Sequence, residues 1–101
     1  MAKTYKSPSG FTVLIGRNAK ENDILVSYAD INDLWFHSAE VPGAHVILCC
    51  GKKNVVHEDI LFCAKLTGSK KVVYCYIGDL TKPKRSSPGT VFTSNEKYIN
   101  L

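Results

Sequence analysis

The segment LWFHSAEVPGAHVILCC, residues 34–50, predicts two β-strands joined by a tight turn. Residues 34–37 are large side chains that favour strands. The sequence Val-Pro-Gly at residues 41–43 is typical of a turn, because proline presets φ and glycine tolerates positive φ. Residues 44–50 are almost continuously apolar, as in strands that are buried on both faces. The segment therefore predicts a hairpin-like pair of strands.

Side chains in the first of these strands alternate between two faces. Leu34 and Phe36 share one face, whereas Trp35 and His37 share the other. Exposed aromatic rings stack on nucleic-acid bases, which makes Trp35 a candidate RNA contact. The alternative is that both faces are covered and that Trp35 belongs to the core, in keeping with the usual burial of tryptophan.

Upstream of this segment, the sequence predicts one strand and one helix. Residues 1–9 form a polar lead-in, and residues 11–15 alternate as a first strand. Asn18, followed three positions later by Glu21, has the spacing of a capping box with Asn in place of Ser or Thr. A short helix is therefore predicted over residues 19–26.

Downstream, the main helix is predicted over residues 57–67, where apolar positions follow helical spacing. Residues 72–77 form a second central strand. Residues 91–93 and 98–101 are predicted to close the chain as a terminal hairpin.

The length of 101 residues suits one domain with one core. Hydrophobic residues make up 45% of the chain and charged residues 22%, which excludes an intrinsically disordered protein. We predict a single compact α+β domain over residues 10–101, with a mostly antiparallel or mixed sheet, one main helix and one short helix. The net charge of +4 is a mild basic bias that does not by itself identify a partner.

The four cysteines, at positions 49, 50, 63 and 75, lie in apolar runs without the paired spacing of a zinc or redox motif. We expect buried, reduced thiols and no metal or cofactor. Neither a signal peptide nor a membrane-spanning stretch is recognisable, so the expected location is the cytoplasm, away from any membrane.

Three residues raise the alternative of a metal or acid–base site. His37 and His45 lie on either side of the predicted turn, and Asp33 is close in sequence. Histidines in strand pairs are more often structural or, here, RNA-contacting groups. A small metal-dependent enzyme that uses these three residues remains the competing interpretation.

Two basic segments are candidate phosphate contacts. Arg17 and Asn18 stand at a strand-to-helix junction, where free backbone N–H groups favour an anion, although a plain turn explains the same sequence. Lys82, Lys84 and Arg85 lie in a proline-containing loop that suits a phosphate backbone and would otherwise be an ordinary solvated loop.

Three further stretches form a recognisable combination: residues 10–23 (GFTVLIGRNAKEND), residues 33–37 (DLWFH) and residues 41–46 (VPGAHV). Together they resemble a known family, the NFACT-R domain, which is the RNA-binding domain of the NFACT proteins. Ala44 stands where the family usually has serine. The residues at family signature positions are Arg17, Asn18, Asn22, Asp23, Asp33, Trp35, His37, Pro42, Gly43 and His45, with Lys82 and Lys84 in the basic loop.

The resemblance implies an α+β domain without an active site, here expected as a stand-alone domain. It implies binding of tRNA or ribosomal RNA in ribosome-associated quality control. Possible partners are then the large ribosomal subunit and other quality-control proteins. An adaptor that docks on such proteins without touching RNA is the alternative from another class.

Overall fold

A computed structural model describes residues 2–82 and 90–101 of the chain. Lys84 and Arg85 of the predicted basic loop therefore lie outside the described residues. The elements are β1 (Lys3–Lys6), β2 (Thr12–Ile15), α1 (Ala19–Tyr28), β3 (Leu34–Ser38), β4 (Val46–Cys49), α2 (His57–Leu66), β5 (Lys71–Tyr76), a 3₁₀ turn (Ile77–Asp79), β6 (Leu80–Thr81), β7 (Phe92–Thr93) and β8 (Lys97–Asn100).

The described strands form a six-stranded sheet in the order β1-β2-β4-β3-β5-β8 and a separate two-stranded sheet of β6 and β7. Every pairing among them is antiparallel. The predicted α+β class and antiparallel sheet are confirmed, and so is the hairpin-like pair, since β3 and β4 are neighbours. This pair lies in the middle of the sheet, as expected for its nearly continuous apolar sequence.

One helix packs on each face of the sheet. Cys63 and Ala64 of α2 pack with Leu34 and Phe36 in one buried cluster. Leu25 of α1 packs against a second cluster, which contains Trp35 and Ile47. The predicted alternation of β3 is confirmed, and because both faces are covered, Trp35 is a core residue with 2% of its surface exposed.

Local sequence signals mark the start of α1 and the end of α2 as predicted. The Asn18 side chain caps α1 by accepting a hydrogen bond from the Glu21 N–H at 2.9 Å. Gly68 follows α2 with a φ of +74°, a backbone conformation that glycine adopts without strain. The two helices are, however, equal in length at ten residues each, because α1 continues to Tyr28. Packing of its last turns on the Trp35 cluster supports this extension.

Both ends of the chain differ from the prediction. The predicted terminal hairpin is wrong, because β7 pairs with β6 whereas β8 pairs with β5. Ile99 of β8 thereby packs against the core, an interaction that local turn propensity does not encode. The supposed lead-in contains β1, an edge strand whose four residues are all exposed and which therefore lacks an apolar pattern.

Candidate functional site

An open cavity of about 730 Å³ lies where the start of α1 meets the turn between β3 and β4. Five predicted site residues line it, and we call this cavity the histidine groove. These residues are Arg17, Asn18, Asn22, His37 and His45. The remaining lining residues are Gly16, Ala19, Ser38, Ala39, Glu40, Val41, Pro42, Gly43, Ala44 and Thr90.

Arg17 is held at the rim of the groove by Glu21. The guanidinium donates to the Glu21 carboxylate through Nε at 3.2 Å and Nη2 at 3.1 Å, and the Arg17 backbone N–H donates to the same carboxylate at 2.8 Å. These hydrogen bonds lower the pKa of Glu21 to about 2. A guanidinium has five N–H donors, so this pairing orients Arg17 and leaves donors for a further anion.

Asn22 fixes the start of α1 against β4 from within the protein. Its side chain is buried, and its Oδ1 accepts a hydrogen bond from the His45 N–H at 3.2 Å. The Gly16 N–H donates to the His45 carbonyl at 3.0 Å, so both backbone groups of His45 are engaged. A Cβ at Gly16 would lie 1.8 Å from the Asn22 oxygen, which means that this packing requires glycine.

Trp35, His37 and His45 form an aromatic cluster at the floor of the groove. The rings of Trp35 and His37 stack with centroids 5.6 Å apart, and His45 meets both edge-on at 5.3 and 5.1 Å. The His37 Nδ1 lies 2.7 Å from the Ser38 carbonyl, which can only accept, so this nitrogen is the donor. In the neutral ring, Nε2 of His37 is then an acceptor.

Two buried nitrogens in this cluster have no hydrogen-bond partner within the part of the chain that the structure describes: Trp35 Nε1 and His45 Nδ1. Burial lowers the pKa of His45 to about 4, and the neighbouring His37 and Lys82 act in the same direction, whereas Asp23 opposes them. His45 is therefore neutral at pH 7. The unpaired Nδ1 is itself buried, so the neutral ring packs against Trp35 and His37 with one polar atom unsatisfied by the described residues.

Asp23 and Lys82 form an ion pair beside the groove. The Lys82 ammonium lies 3.2 Å from the Asp23 carboxylate and donates to the Thr90 carbonyl at 3.2 Å. The ion pair connects α1 to the first residue of the basic loop. The role of Asp23 in this structure is therefore to pair with the Lys82 ammonium.

Asp33 lies at the other end of β3 from His37, roughly 13 Å along the strand at the usual rise per residue. It is buried, and its carboxylate accepts the backbone N–H groups of Asp30 and Gly51 at 3.0 and 2.8 Å. The structure therefore brings His37 and His45 together but leaves Asp33 apart. No group of three histidine, cysteine or acidic residues suited to a metal ion occurs within residues 2–82 and 90–101.

The cysteines are free thiols, three of them buried and Cys49 partly so. Burial raises the pKa of Cys63 to about 12 and that of Cys49 and Cys75 to about 11. These thiols are protonated at neutral pH, which makes them poor nucleophiles and poor metal ligands.

Ser38 is a part of the site that the sequence did not predict. Its hydroxyl oxygen accepts the N–H groups of Glu40 and Val41, both at 3.1 Å, and so shapes the turn that walls the groove. A serine at the start of a turn is the local signal for such an arrangement.

In the described structure, neither helix is long and apolar enough to cross a membrane.

Residues 1–86 match the model of one protein family, which is described as "NFACT protein RNA binding domain". The chain is 32% identical to the Rqc2 homolog RqcH of Bacillus subtilis (strain 168) over 96% of its own length and 18% of that protein's. It is 28% identical to the coiled-coil domain-containing protein 25 of Bos taurus, over 71% of this chain and 36% of the relative.

Among solved structures, a similar fold is that of the C-terminal part of the fibronectin/fibrinogen-binding protein from Streptococcus suis. The TM-score is 0.88 at 26% identity, and the match covers 99% of this chain and 44% of the other. The chain thus spans about a fifth of RqcH and less than half of this structural neighbour.

Proposed function

Because the chain belongs to the NFACT protein RNA-binding domain family, we propose that it binds tRNA or ribosomal RNA through the histidine groove, as a non-catalytic module. The family itself is one of RNA-binding domains. The particular RNA, the surface that binds it and the absence of catalysis are our proposals.

One observation carries the choice of surface. Seven of the ten residues at family signature positions outside the basic loop line one open cavity, and they come from three separate stretches of sequence. Residues that served only the fold would be distributed through the core. Their convergence on a cavity large enough for part of a nucleotide chain supports a binding role.

The groove offers complementary chemistry to an RNA backbone. Arg17 and the first turn of α1 present N–H donors and a positive helix end, which suit a phosphate. The Nε2 of His37 is an acceptor, and a 2′-hydroxyl is a donor that DNA lacks. Few groups here match base edges, so we propose recognition of backbone and shape.

We base the proposed cellular role on the relatives of the chain. One relative is named as a homologue of Rqc2, and we propose a role in ribosome-associated quality control, in the cytoplasm. The proposed partners are the large ribosomal subunit and other quality-control proteins. Capture of ribosomal material that persists after nuclease treatment would instead favour the adaptor function.

The test is a fluorescence titration of the whole chain with tRNA and with ribosomal RNA fragments at two salt concentrations. Arg17→Ala is expected to weaken binding and to reduce the slope of log affinity against log salt by at most about one, because Arg17 already pairs with Glu21. Lys65→Ala is the matched control, since Lys65 is an exposed cation on α2, across the sheet. Binding that is absent at low salt, or equal effects of the two variants, would contradict the proposal.

A further inference from the structure

A second cavity, of about 410 Å³, opens at the end of β3 that is remote from the histidine groove. Its lining combines one aromatic ring with two lysines and two amide side chains. These are Tyr76, Lys52, Lys53, Asn32 and Asn54. Leu34 also lines it, from the central strand. Neither lysine nor Tyr76 takes part in the site described above.

Tyr76 is the last residue of β5 and is 53% exposed. It stands directly opposite Leu34 in the sheet, so the two side chains share a face. Leu34 is buried, whereas Tyr76 reaches the surface at the edge of the core. An aromatic residue anchored in a strand and open to solvent is a rigid platform on which a base can stack.

Lys52 and Lys53 are exposed in the turn that follows β4. Gly51 has a φ of +55°, and the Lys53 N–H donates to the Cys50 carbonyl at 3.1 Å, which closes the turn. The two adjacent lysines therefore stand on a hydrogen-bonded turn beside Tyr76.

Asp33 holds the walls of this cavity together. Its carboxylate accepts the N–H of Gly51 in the lysine turn at 2.8 Å and that of Asp30 at 3.0 Å. Its carbonyl accepts the N–H of Ile77, the residue after Tyr76, at 2.9 Å. One buried residue thus connects the segments that carry the lysines and the tyrosine, so the cavity is formed before any ligand arrives.

We propose that this cavity, the lysine–tyrosine cavity, binds one unpaired nucleotide of the same RNA. The base stacks on Tyr76, while Lys52 and Lys53 neutralise the adjacent phosphates. Bases inside a duplex already stack on each other, so only a single-stranded nucleotide can use the ring. The volume lies within the range of small-ligand sites. The inference rests on the proposed RNA-binding function and adds a second contact that selects single strands.

The experiment compares a blunt RNA hairpin, closed by a non-nucleotide linker so that it contains no unpaired base, with the same hairpin extended by an unpaired tail. Tyr76→Ala is expected to lower the affinity for the tailed hairpin by about 5-fold to 100-fold, the usual effect of losing one stacked base, and to leave the blunt hairpin unchanged. Tyr76→Phe should retain the affinity, because the ring remains. A double change of Lys52 and Lys53 to alanine should reduce the salt slope for the tailed hairpin by about two.

Tyr98→Ala is the matched control. Tyr98 is equally exposed, at 53%, and has Lys71 5.8 Å from its ring, but it pairs with Val73 and so lies on the opposite face of the sheet. An equal loss with Tyr98→Ala, or an equal loss for both hairpins, would overturn the inference. Wild-type protein that binds neither hairpin would contradict the proposed function itself. Wild-type binding that Tyr76→Ala leaves unchanged would contradict only the second site.

Discussion

At the scale of single residues, the buried side chain of Asn22 determines how the histidine groove is built. Its oxygen accepts the His45 N–H, and its position against Gly16 leaves no room for a further carbon atom. The same residue lines the groove. A buried amide that satisfies a backbone donor holds the walls of a site in place, so geometry and stability depend on the same contact.

Gly16→Ala should destabilise the protein by about 3 kcal/mol, at the upper end of the usual cost of overpacking, because the new methyl group would displace Asn22. Gly43→Ala is the control, since a Cβ at Gly43 meets nothing within 4 Å. It should change stability by less than about 0.5 kcal/mol. Urea denaturation measures both, and equal free energies of unfolding for the two variants would contradict the packing described.

His45 should make stability depend on pH. Its pKa is about 4 in the folded protein and 6.5 in its ordinary state, so the unfolded chain takes up the proton first as the pH falls. The contribution of neutral His45 to the free energy of unfolding is fully present above pH 6.5. It is lost as the pH falls towards 4, and the free energy of unfolding then decreases by about 3 kcal/mol at most.

Replacement of His45 by glutamine removes this titration. The difference in free energy of unfolding between wild type and His45→Gln should therefore shrink as the pH falls from 6.5 to 4. Denaturation curves across this range measure it. A constant difference would show that His45 titrates alike in both states.

At the scale of elements, Asp59 connects helix α2 to the turn between β1 and β2. The carboxylate is fully buried and accepts the N–H groups of Ser9 at 2.9 Å and Val56 at 3.1 Å. Burial acts to raise the pKa of Asp59, but these hydrogen bonds lower it below its ordinary value. The helix cap and the attachment of the edge strand are therefore one interaction.

Asp59→Ala should cost about 3 kcal/mol of stability, because it removes a buried carboxylate that accepts two hydrogen bonds, and hydrogen bonds to a charged group are stronger than neutral ones. Glu58→Ala is the matched control, since Glu58 is an exposed acid in the same helical turn. That change should cost less than about 1 kcal/mol through the helix dipole. Thermal unfolding distinguishes them, and similar melting temperatures would contradict the role given to Asp59.

At the scale of the whole molecule, the two cavities lie at opposite ends of the central strand β3. The histidine groove includes His37 near its carboxyl end, and the lysine–tyrosine cavity includes Leu34 at its start. Cations border both cavities, although the net charge of the chain is only +4. Because His37 and Leu34 point to opposite faces of the sheet, an RNA that contacts both cavities must pass around the domain, and the salt dependence of its binding would report their cations together.

Removal of Lys82, Lys84 and Arg85 together by alanine substitution should flatten the salt slope by roughly two to three. The expected value is nearer two, because Lys82 already pairs with Asp23. RNA titration at several salt concentrations measures the slope. The melting temperature should hardly change, since surface charges contribute less than about 0.5 kcal/mol per site. An unchanged slope would show that RNA binds to a surface other than this loop.

Features with local causes could be predicted from the amino-acid sequence. The alternation of residues 34–37 predicted which side chains share a face, and Asn18 predicted the start of α1, because strand pleat and helix capping involve residues a few positions apart. The approach of His37 to His45 also followed from the pairing of two strands adjacent in sequence, although the connection spans residues 39–45 and is longer than the tight turn predicted.

Features that join residues far apart in the chain could not be predicted in this way. Asn22 bonds to His45, 23 residues away, and Asp59 bonds to Ser9, 50 residues away. Two further features also depend on residues that are distant in sequence. They are the pairing of β8 with β5 and the separation of Asp33 from the histidines. A residue's type limits which bonds it can form, but packing selects the partner, and packing is settled only when the whole sheet and both helices are in place.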